Sequence, residues 1–237
     1  MVCFQKSMEY ATRDRRMKTC VLIPSYNEAL TIGHIVKEIR AMGLDVFVVD
    51  DGSTDSTEKI ASENGAFAIR HPVNMGKGAS LKDGFEFILR STNYDAVIIM
   101  DADGQHSPTD IHKFLSHAEE YDDDIIIGNR MGFAKDMPAV RYLTNRFMSY
   151  VLSTICKQRI PDTQCGYRLI RRRLIEKIKL ELNKYDLESE MLIKASKMKC
   201  RVASVPVESI YRDEASNIHP IKDTLRFLNL LLRSYFE

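Results

Sequence analysis

Two aspartates one residue apart, Asp101 and Asp103, close the apolar run Val97-Ile98-Ile99-Met100 and are followed by Gly104, Gln105, His106 and Pro108. A run of that length reads as a buried strand, with the carboxylates emerging at its C-terminal end. In an open α/β sheet that end is where ligands bind. Carboxylates held this close repel each other unless a cation lies between them. Hard oxygen donors on a short turn suit Mg²⁺ or Mn²⁺, with phosphate oxygens and water completing the shell. Taken alone, the segment also reads as a solvent-facing turn, since Asp and Gly are ordinary turn residues.

Three more apolar runs end in polar text. Cys20-Val21-Leu22-Ile23 leads into Pro24-Ser25-Tyr26-Asn27-Glu28, Val46-Phe47-Val48-Val49 into Asp50-Asp51-Gly52-Ser53, and Ile125-Ile126-Ile127 into Gly128-Asn129-Arg130. In a parallel sheet all four loops share one rim, and together they hold what a nucleotide diphosphate requires. Tyr26 can pack on a base or sugar, and Glu28 and Asp51 can accept hydrogen bonds from base or ribose. Asp101 and Asp103 can reach a metal on the diphosphate, and Arg130 can neutralise a phosphate. The competing readings make Asp50 and Asp55 helix-capping residues and Tyr26 an aromatic at the core edge; for Asp55 capping is the expectation. A dinucleotide fingerprint is excluded, because Pro24-Ser25-Tyr26-Asn27-Glu28-Ala29 stands where G-x-G-x-x-G would be needed. Gly76-Lys77-Gly78-Ala79-Ser80 has fragments of a P-loop at the wrong spacing, and its glycines are expected to let a helix start close to another backbone.

Alternating strands and helices position these loops. Residues 31–41 carry Ile32, Ile35, Val36 and Ile39 at helical spacing. Further helices are expected at about 55–64, 79–89, 108–119, 140–157 and 188–199, with a last one over 220–236. Strands are expected at 67–70 and 96–100, a short one after the turn at Cys165-Gly166, and one over 202–210 whose Pro206 suits an edge. This alternation predicts an α/β fold, a mostly parallel central sheet flanked by helices. Residues 1–18 read as an extension and 19–237 as one domain. The 237 residues are 44% hydrophobic and 28% charged, enough to bury a real core. A net charge of +1 offers no basic field for nucleic acid. The five cysteines include no CxxC pair, and no apolar run would span a bilayer, so a cytoplasmic protein is expected.

The motifs Ile23-Pro24-Ser25-Tyr26-Asn27-Glu28, Val48-Val49-Asp50-Asp51-Gly52-Ser53-Thr54-Asp55, Asn74-Met75-Gly76-Lys77-Gly78 and Asp101-Ala102-Asp103-Gly104-Gln105-His106 together resemble family 2 glycosyltransferases. The likeness is to the branch containing dolichol-phosphate mannosyltransferase and its polyprenyl-phosphate relatives. Gly128-Asn129-Arg130, Asp162-Thr163-Gln164-Cys165-Gly166-Tyr167-Arg168 and Glu188-Ser189-Glu190-Met191-Leu192 continue it, over roughly residues 19–227. The resemblance implies a GT-A fold and inverting, metal-dependent transfer of a sugar, mannose or glucose first, from a GDP- or UDP-linked donor to a polyprenyl or dolichyl phosphate. It implies that Pro24, Tyr26, Glu28, Val49 and Asp51 hold the nucleoside. Asp101, Ala102, Asp103 and Gln105 would surround the diphosphate and Mg²⁺ or Mn²⁺, with Asp101, Asp103 and Gln105 as ligands. Arg130 would face the phosphates, making Asp101, Asp103 and Arg130 the catalytic set. Asn145-Arg146 resembles the part of the family that meets the acceptor phosphate, and Arg141 is a second candidate; both arginines also read as a solvated helix face. Arg212 lies where the mannosyltransferase branch carries an arginine before a serine–lysine pair, but here Ser216-Asn217 follows at shorter spacing.

A lipid phosphate is already an anion and needs no general base; a hydroxyl acceptor would need one, with Asp162, Glu188 and Glu190 as candidates. The apolar last helix with Lys222, Arg226 and Arg233, and the cluster Arg171-Arg172-Arg173, suit a peripheral site on the cytoplasmic membrane face. Packing on the core or in a homo-oligomer is the alternative for that helix, and a separate membrane subunit is a further partner. A glycan or other hydroxyl acceptor and a non-catalytic nucleotide-sugar-binding subunit are the competing functions. His106 is expected at the surface.

Overall fold

The computed structural model describes residues 17–132, 137–184 and 186–210. The expected extension, apart from Met17 and Lys18, therefore lies outside the described residues, as do Arg212, Ser216-Asn217 and the expected helix over 220–236.

Strands β1 (Thr19–Ser25), β2 (Asp45–Asp50), β3 (Phe67–Arg70), β4 (Ala96–Ile99), β5 (Ile125–Asn129), β6 (Arg168–Arg171) and β7 (Val202–Pro206) form one sheet in the order β3-β2-β1-β4-β6-β5-β7. All run parallel except β6, which pairs antiparallel with both β4 and β5. The mostly parallel sheet follows from the sequence: β1 is buried at every position and β4 reads Ala-Val-Ile-Ile with all four residues buried, the signature of strands covered on both faces. Each such buried Val or Ile contributes about 1.5–3 kcal/mol. Pro206 sits in edge strand β7, where a missing donor costs least.

Helices α1 (Ile32–Ala41), α2 (Thr57–Glu63), α3 (Lys77–Ser91), α4 (Ile111–Glu120, entered through a 3₁₀ turn at Pro108–Asp110), α5 (Ala139–Cys156), α6 (Arg172–Ile175) and α7 (Leu187–Lys197) complete the described fold. Helix α1 buries Ile32, Ile35, Val36 and Ile39, the stripe its spacing predicts. Helix α3 begins at Lys77, two residues before the expected start, which brings a lysine to its first turn. The chain winds outward from β1 to β2 and β3, then returns to place β4 on the other flank of β1. The β1–β4 boundary is thus a topological switch point, and a crevice opens there outside the carboxyl ends of the strands.

The arginine triplet is engaged within the fold. Arg171 donates to the carbonyls of Ala118 (2.7 Å), Tyr121 (2.9 Å) and Asp123 (3.2 Å), satisfying the end of α4. Arg172 does the same for α3 through Leu89 (2.8 Å) and Thr92 (2.9 Å). Arg173 pairs with Asp122 and Asp124. The Arg171 and Arg172 guanidiniums supply donors to carbonyls near helix ends, which lack intrahelical partners. Replacing Arg171 by Met keeps the apolar stem and removes the donors; urea unfolding should lose about 2 kcal/mol with an unchanged slope.

Candidate active site

The acidic couplet stands at the switch point. Met100 donates its N–H to Leu22 O (3.1 Å), so pairing with β1 continues to the residue before Asp101. Asp103 is fixed by the Gln105 N–H on its Oδ1 (2.9 Å). Asp101 Oδ1 lies 2.5 Å from Lys77 Nζ, whose ammonium also lies 2.9 Å from Glu188 Oε1. Gly166 makes room for this meeting: a Cβ there would fall 2.6 Å from Asp101 Oδ2 and 3.0 Å from Lys77 Nζ. Burial pushes the Asp101 carboxyl up, but the Lys77 charge outweighs it and holds the group below the usual carboxylate range. Burial and the neighbouring Asp101 charge push Asp103 above that range. Asp101 is paired with a cation from within the chain, whereas at Asp103 the Lys77 and Arg141 charges only partly offset that rise.

The loops after β1 and β2 are knitted together beside the couplet. Asn27 takes a left-handed conformation (φ 57°), donates its N–H to Ser53 Oγ (2.8 Å) and accepts the Thr54 N–H on Oδ1 (2.8 Å). Glu28 N–H reaches Thr57 Oγ1 (2.8 Å), and Thr31 Oγ1 donates to Ala102 O (2.6 Å), tying both loops to the one after β4. Tyr26 is 44% exposed on this rim rather than packed at the core edge. Pro24 and Val49 are register partners in the β1–β2 ladder, both buried. Asp51 is 3% exposed and already holds three donors. These are the Met75 and Gly76 N–H groups and His71 Nδ1, each at 2.8 Å. A carboxylate offers about four acceptor positions, so Asp51 both shapes the loop before α3 and retains room for a ligand donor. Asp55 accepts the Thr57 N–H (3.0 Å) in a turn just before α2, whose N-cap position is Ser56 and not the expected Asp55.

Arg130 does not lie open on the rim. It is buried at the end of β5 and forks onto fully buried Asp162, with Nε to Oδ2 at 2.8 Å and Nη2 to Oδ1 at 3.0 Å. Its charge is felt at Asp101, but the fork makes it the anchor of the 162–166 turn. Asp162 is thereby committed, and Glu190 holds the Glu181 and Leu182 N–H groups and Lys194. Of the three carboxylates considered as bases, Glu188 stands at the couplet. On α5, Arg141 lowers the Asp103 carboxyl by its charge, whereas Arg146 is exposed and stacks over Tyr142. Asn145 is buried. His106 is buried beside Tyr167, ring centroids 5.0 Å apart, and burial lowers its pKa to about 4, so the surface expectation is overturned.

Lys77, Gly166 and Arg168 belong to the site although residue-by-residue reading passed over them. Arg168 is fully buried and donates to the carbonyls of Cys165 (2.9 Å), Thr163 (2.8 Å) and Glu188 (2.9 Å), holding the Gly166 turn and the first turn of α7 against the couplet. The signal for Lys77 was present as Gly76-Lys77-Gly78. Both glycines meet the backbone of Asn183, where a Cβ would approach to 2.4 Å and 2.6 Å, as their expected role requires.

With this geometry in place, comparison with known proteins is decisive. The model of glycosyl transferase family 2 matches residues 20–179. The chain belongs to glycosyltransferase family 2. This glycosyltransferase is 29% identical, over 81% of its length and 86% of the relative's, to the UDP-N-acetylglucosamine–dolichyl-phosphate N-acetylglucosaminyltransferase of Methanococcus voltae. It is 31% identical to the polyprenol monophosphomannose synthase of Mycolicibacterium smegmatis, over 72% of its own length and 68% of the relative's. Its fold is GT-A: glucosyl-3-phosphoglycerate synthase from Mycobacterium tuberculosis, solved with Mn²⁺ and UDP-glucose, superposes with a TM-score of 0.69. That pair covers 97% of this chain and 81% of the other at 20% identity.

The chain's residues fit a divalent cation. Among the described residues no three His, Cys, Asp or Glu side chains close a cage. Asp101, Asp103 and Gln105 supply hard oxygen donors and would be the residues to hold the ion, with diphosphate oxygens and water completing the shell as Mg²⁺ and Mn²⁺ sites on nucleotides require.

Two variants separate scaffold from site. Asp162→Asn leaves the buried Arg130 charge without its counter-ion and should destabilise the glycosyltransferase by about 3 kcal/mol in chemical unfolding. Gly166→Ala should melt within a few degrees of wild type yet bind Mn²⁺ roughly tenfold or more weakly in titration calorimetry, because its methyl displaces Asp101.

Proposed function

We propose that this glycosyltransferase moves a sugar, with inversion, from a GDP- or UDP-linked donor to a polyprenyl or dolichyl phosphate. The observation that carries the reading is the acidic couplet at the β1–β4 switch point, beside the joined loops of Tyr26, Glu28 and Asp51. Tyr26 and Glu28 would take the base and ribose, and Val49 and Pro24 form the floor between them. When bound at Asp101, Asp103 and Gln105, a divalent cation supplies positive charge to the departing diphosphate. Lys77, on Asp101, and Arg141, felt at Asp103, bring positive charge to the couplet. An acceptor phosphate oxygen attacks the anomeric carbon from the face opposite the diphosphate, forming the new C–O bond as the old one breaks. It needs no strong base, which agrees with Asp162 and Glu190 being held in structural pairs. Glu188 keeps a hydroxyl acceptor open as the second reading.

A lipid acceptor is supported by the names of the two relatives and by the outward face of α5. Val140, Leu143, Phe147 and Tyr150 are 54–74% exposed at one-face spacing, and Arg146 lies among them. No helix among the described residues is long and apolar enough to cross a membrane, so a lipid-borne phosphate would be met at the surface. Mannose and glucose head the expected sugars, and the N-acetylglucosamine of one relative joins the screen.

Thermal-shift titration with GDP, UDP and their sugars, each with Mn²⁺ or Mg²⁺, should raise the melting temperature for one nucleotide class. With that donor radiolabelled, transfer to a short polyprenyl phosphate should fall roughly 100-fold or more in Asp103→Ala while the variant stays folded. Unchanged turnover in that variant removes the metal role. Leu143→Asp combined with Phe147→Asp should abolish flotation with anionic liposomes and spare nucleotide binding; undiminished flotation takes α5 out of the membrane contact.

A further inference from the structure

The Lys77 ammonium sits on Asp101, one of the two carboxylates proposed to hold a metal ion. It lies 2.5 Å from Asp101 Oδ1, with its side chain 13% exposed, and its second carboxylate, Glu188, is 2.9 Å away. Three elements that are far apart in sequence supply this trio: the first residue of α3, the loop after β4 and the first turn of α7.

A structural staple between α3 and the approach to α7 does not account for it, because that junction is held elsewhere. Gly76 and Gly78 pack on the Asn183–Lys184 backbone, Ala79 donates its N–H to Asn183 O (3.2 Å), and Lys82 Nζ reaches Glu181 O (3.2 Å). Glu188 is itself held by Arg168 through its carbonyl (2.9 Å). The ammonium adds little to that framework and much to the electrostatics. Mg²⁺ and Mn²⁺ bind carboxylate oxygen at roughly 2.0–2.2 Å, closer than an ammonium, and a metal on Asp101 would repel the Lys77 charge and compete with it for Oδ1.

We infer that Lys77 is a two-seat resident cation: it neutralises Asp101 before the metal arrives, and it yields that oxygen by shifting wholly onto Glu188 when the metal binds. Lys77 and Glu188 together therefore set the metal affinity of the couplet, Lys77 as competitor and Glu188 as the seat that receives it. The inference rests on the metal reading of Asp101 and Asp103 and adds to it a role for residues outside the ligand set.

The test is Mn²⁺ binding by the full chain without nucleotide, followed by electron paramagnetic resonance of free Mn²⁺, alongside circular dichroism and thermal melts. Lys77→Gln should bind Mn²⁺ about tenfold more tightly than wild type. Glu188→Gln should bind it several-fold more weakly, because the ammonium then has Asp101 alone. A purely structural pairing would weaken both variants together. Equal or weaker binding by folded Lys77→Gln overturns the inference, and so does equal or tighter binding by Glu188→Gln, which decides the matter even if the lysine variant fails to fold. Wild type that takes up no Mn²⁺ at millimolar concentration, with neither variant doing so, overturns the metal reading itself; wild type that binds, with Lys77→Gln no tighter, overturns only the resident-cation role.

Discussion

Negative charge delivered to the end of a buried strand is the constraint around which the site is arranged. Strand β4 can be fully buried only because its polar residues begin after it, and they begin with two carboxylates separated by one alanine. Such a pair is tolerable when positive charge is brought to it. Lys77 comes from the start of α3, Arg141 acts from α5, and Arg130 is felt through the turn it anchors. The balance is incomplete on the Asp103 side. That asymmetry suits a catalyst whose cation arrives with the diphosphate, since a fully neutralised couplet would have no affinity left to offer.

Most of the arginines near the sheet work on backbone rather than on ligands. Arg168 is buried among three carbonyls, while Arg171 and Arg172 finish helices α4 and α3. A guanidinium is the one side chain with enough donors in a fixed fork to satisfy several carbonyls at once. The absence of an overall basic field has a separate cause, the 33 Asp and Glu that balance the 34 Lys and Arg. This use of arginine explains why the 162–168 turn can be pressed against the couplet. Arg130 holds one end through Asp162, Arg168 holds the other, and Gly166 between them has no side chain to collide with Asp101.

The sheet was legible because strands covered on both faces must be continuously apolar, and the polar text after them marks the rim. Tyr26, Glu28, Asp51, Asp101 and Asp103 could therefore be assigned to one edge from the order of runs alone. The antiparallel direction of β6 was not legible, because Arg168-Leu169-Ile170-Arg171 carries no mark of strand direction. Nor were pairwise commitments: neither Arg130 nor Asp162, 32 residues later, carries a local sign that the two fork onto each other. His106 reads as surface by residue type, and only the approach of Tyr167 buries it. The triplet at 171–173 reads as a patch because sequence adjacency hides that its members serve different helices. What a sequence withholds here is which of two charged groups meets which, since long-range pairing leaves no local periodicity.

The two sides of the couplet are built to different standards, and the difference bears on what they bind. On the donor side, Asn27, Thr31 and Asp51 lock three loops through bonds of 2.6–2.8 Å, and the glycines at 76 and 78 remove slack beneath them. Such preorganisation suits a ligand of fixed shape, such as a nucleotide. On the other side, α5 leaves Val140, Leu143, Phe147 and Tyr150 facing outward along about 15 Å of helix at 1.5 Å per residue. Single exposed apolar residues are common, but an ordered stripe of four is costly in water unless something covers it. A water-soluble acceptor would not need that stripe, whereas an acceptor phosphate carried on a lipid must be collected at an apolar boundary. Under the proposed lipid-phosphate reading, the rigid rim would hold the polar donor and the apolar helix would meet the acceptor's lipid, both serving the same pair of carboxylates.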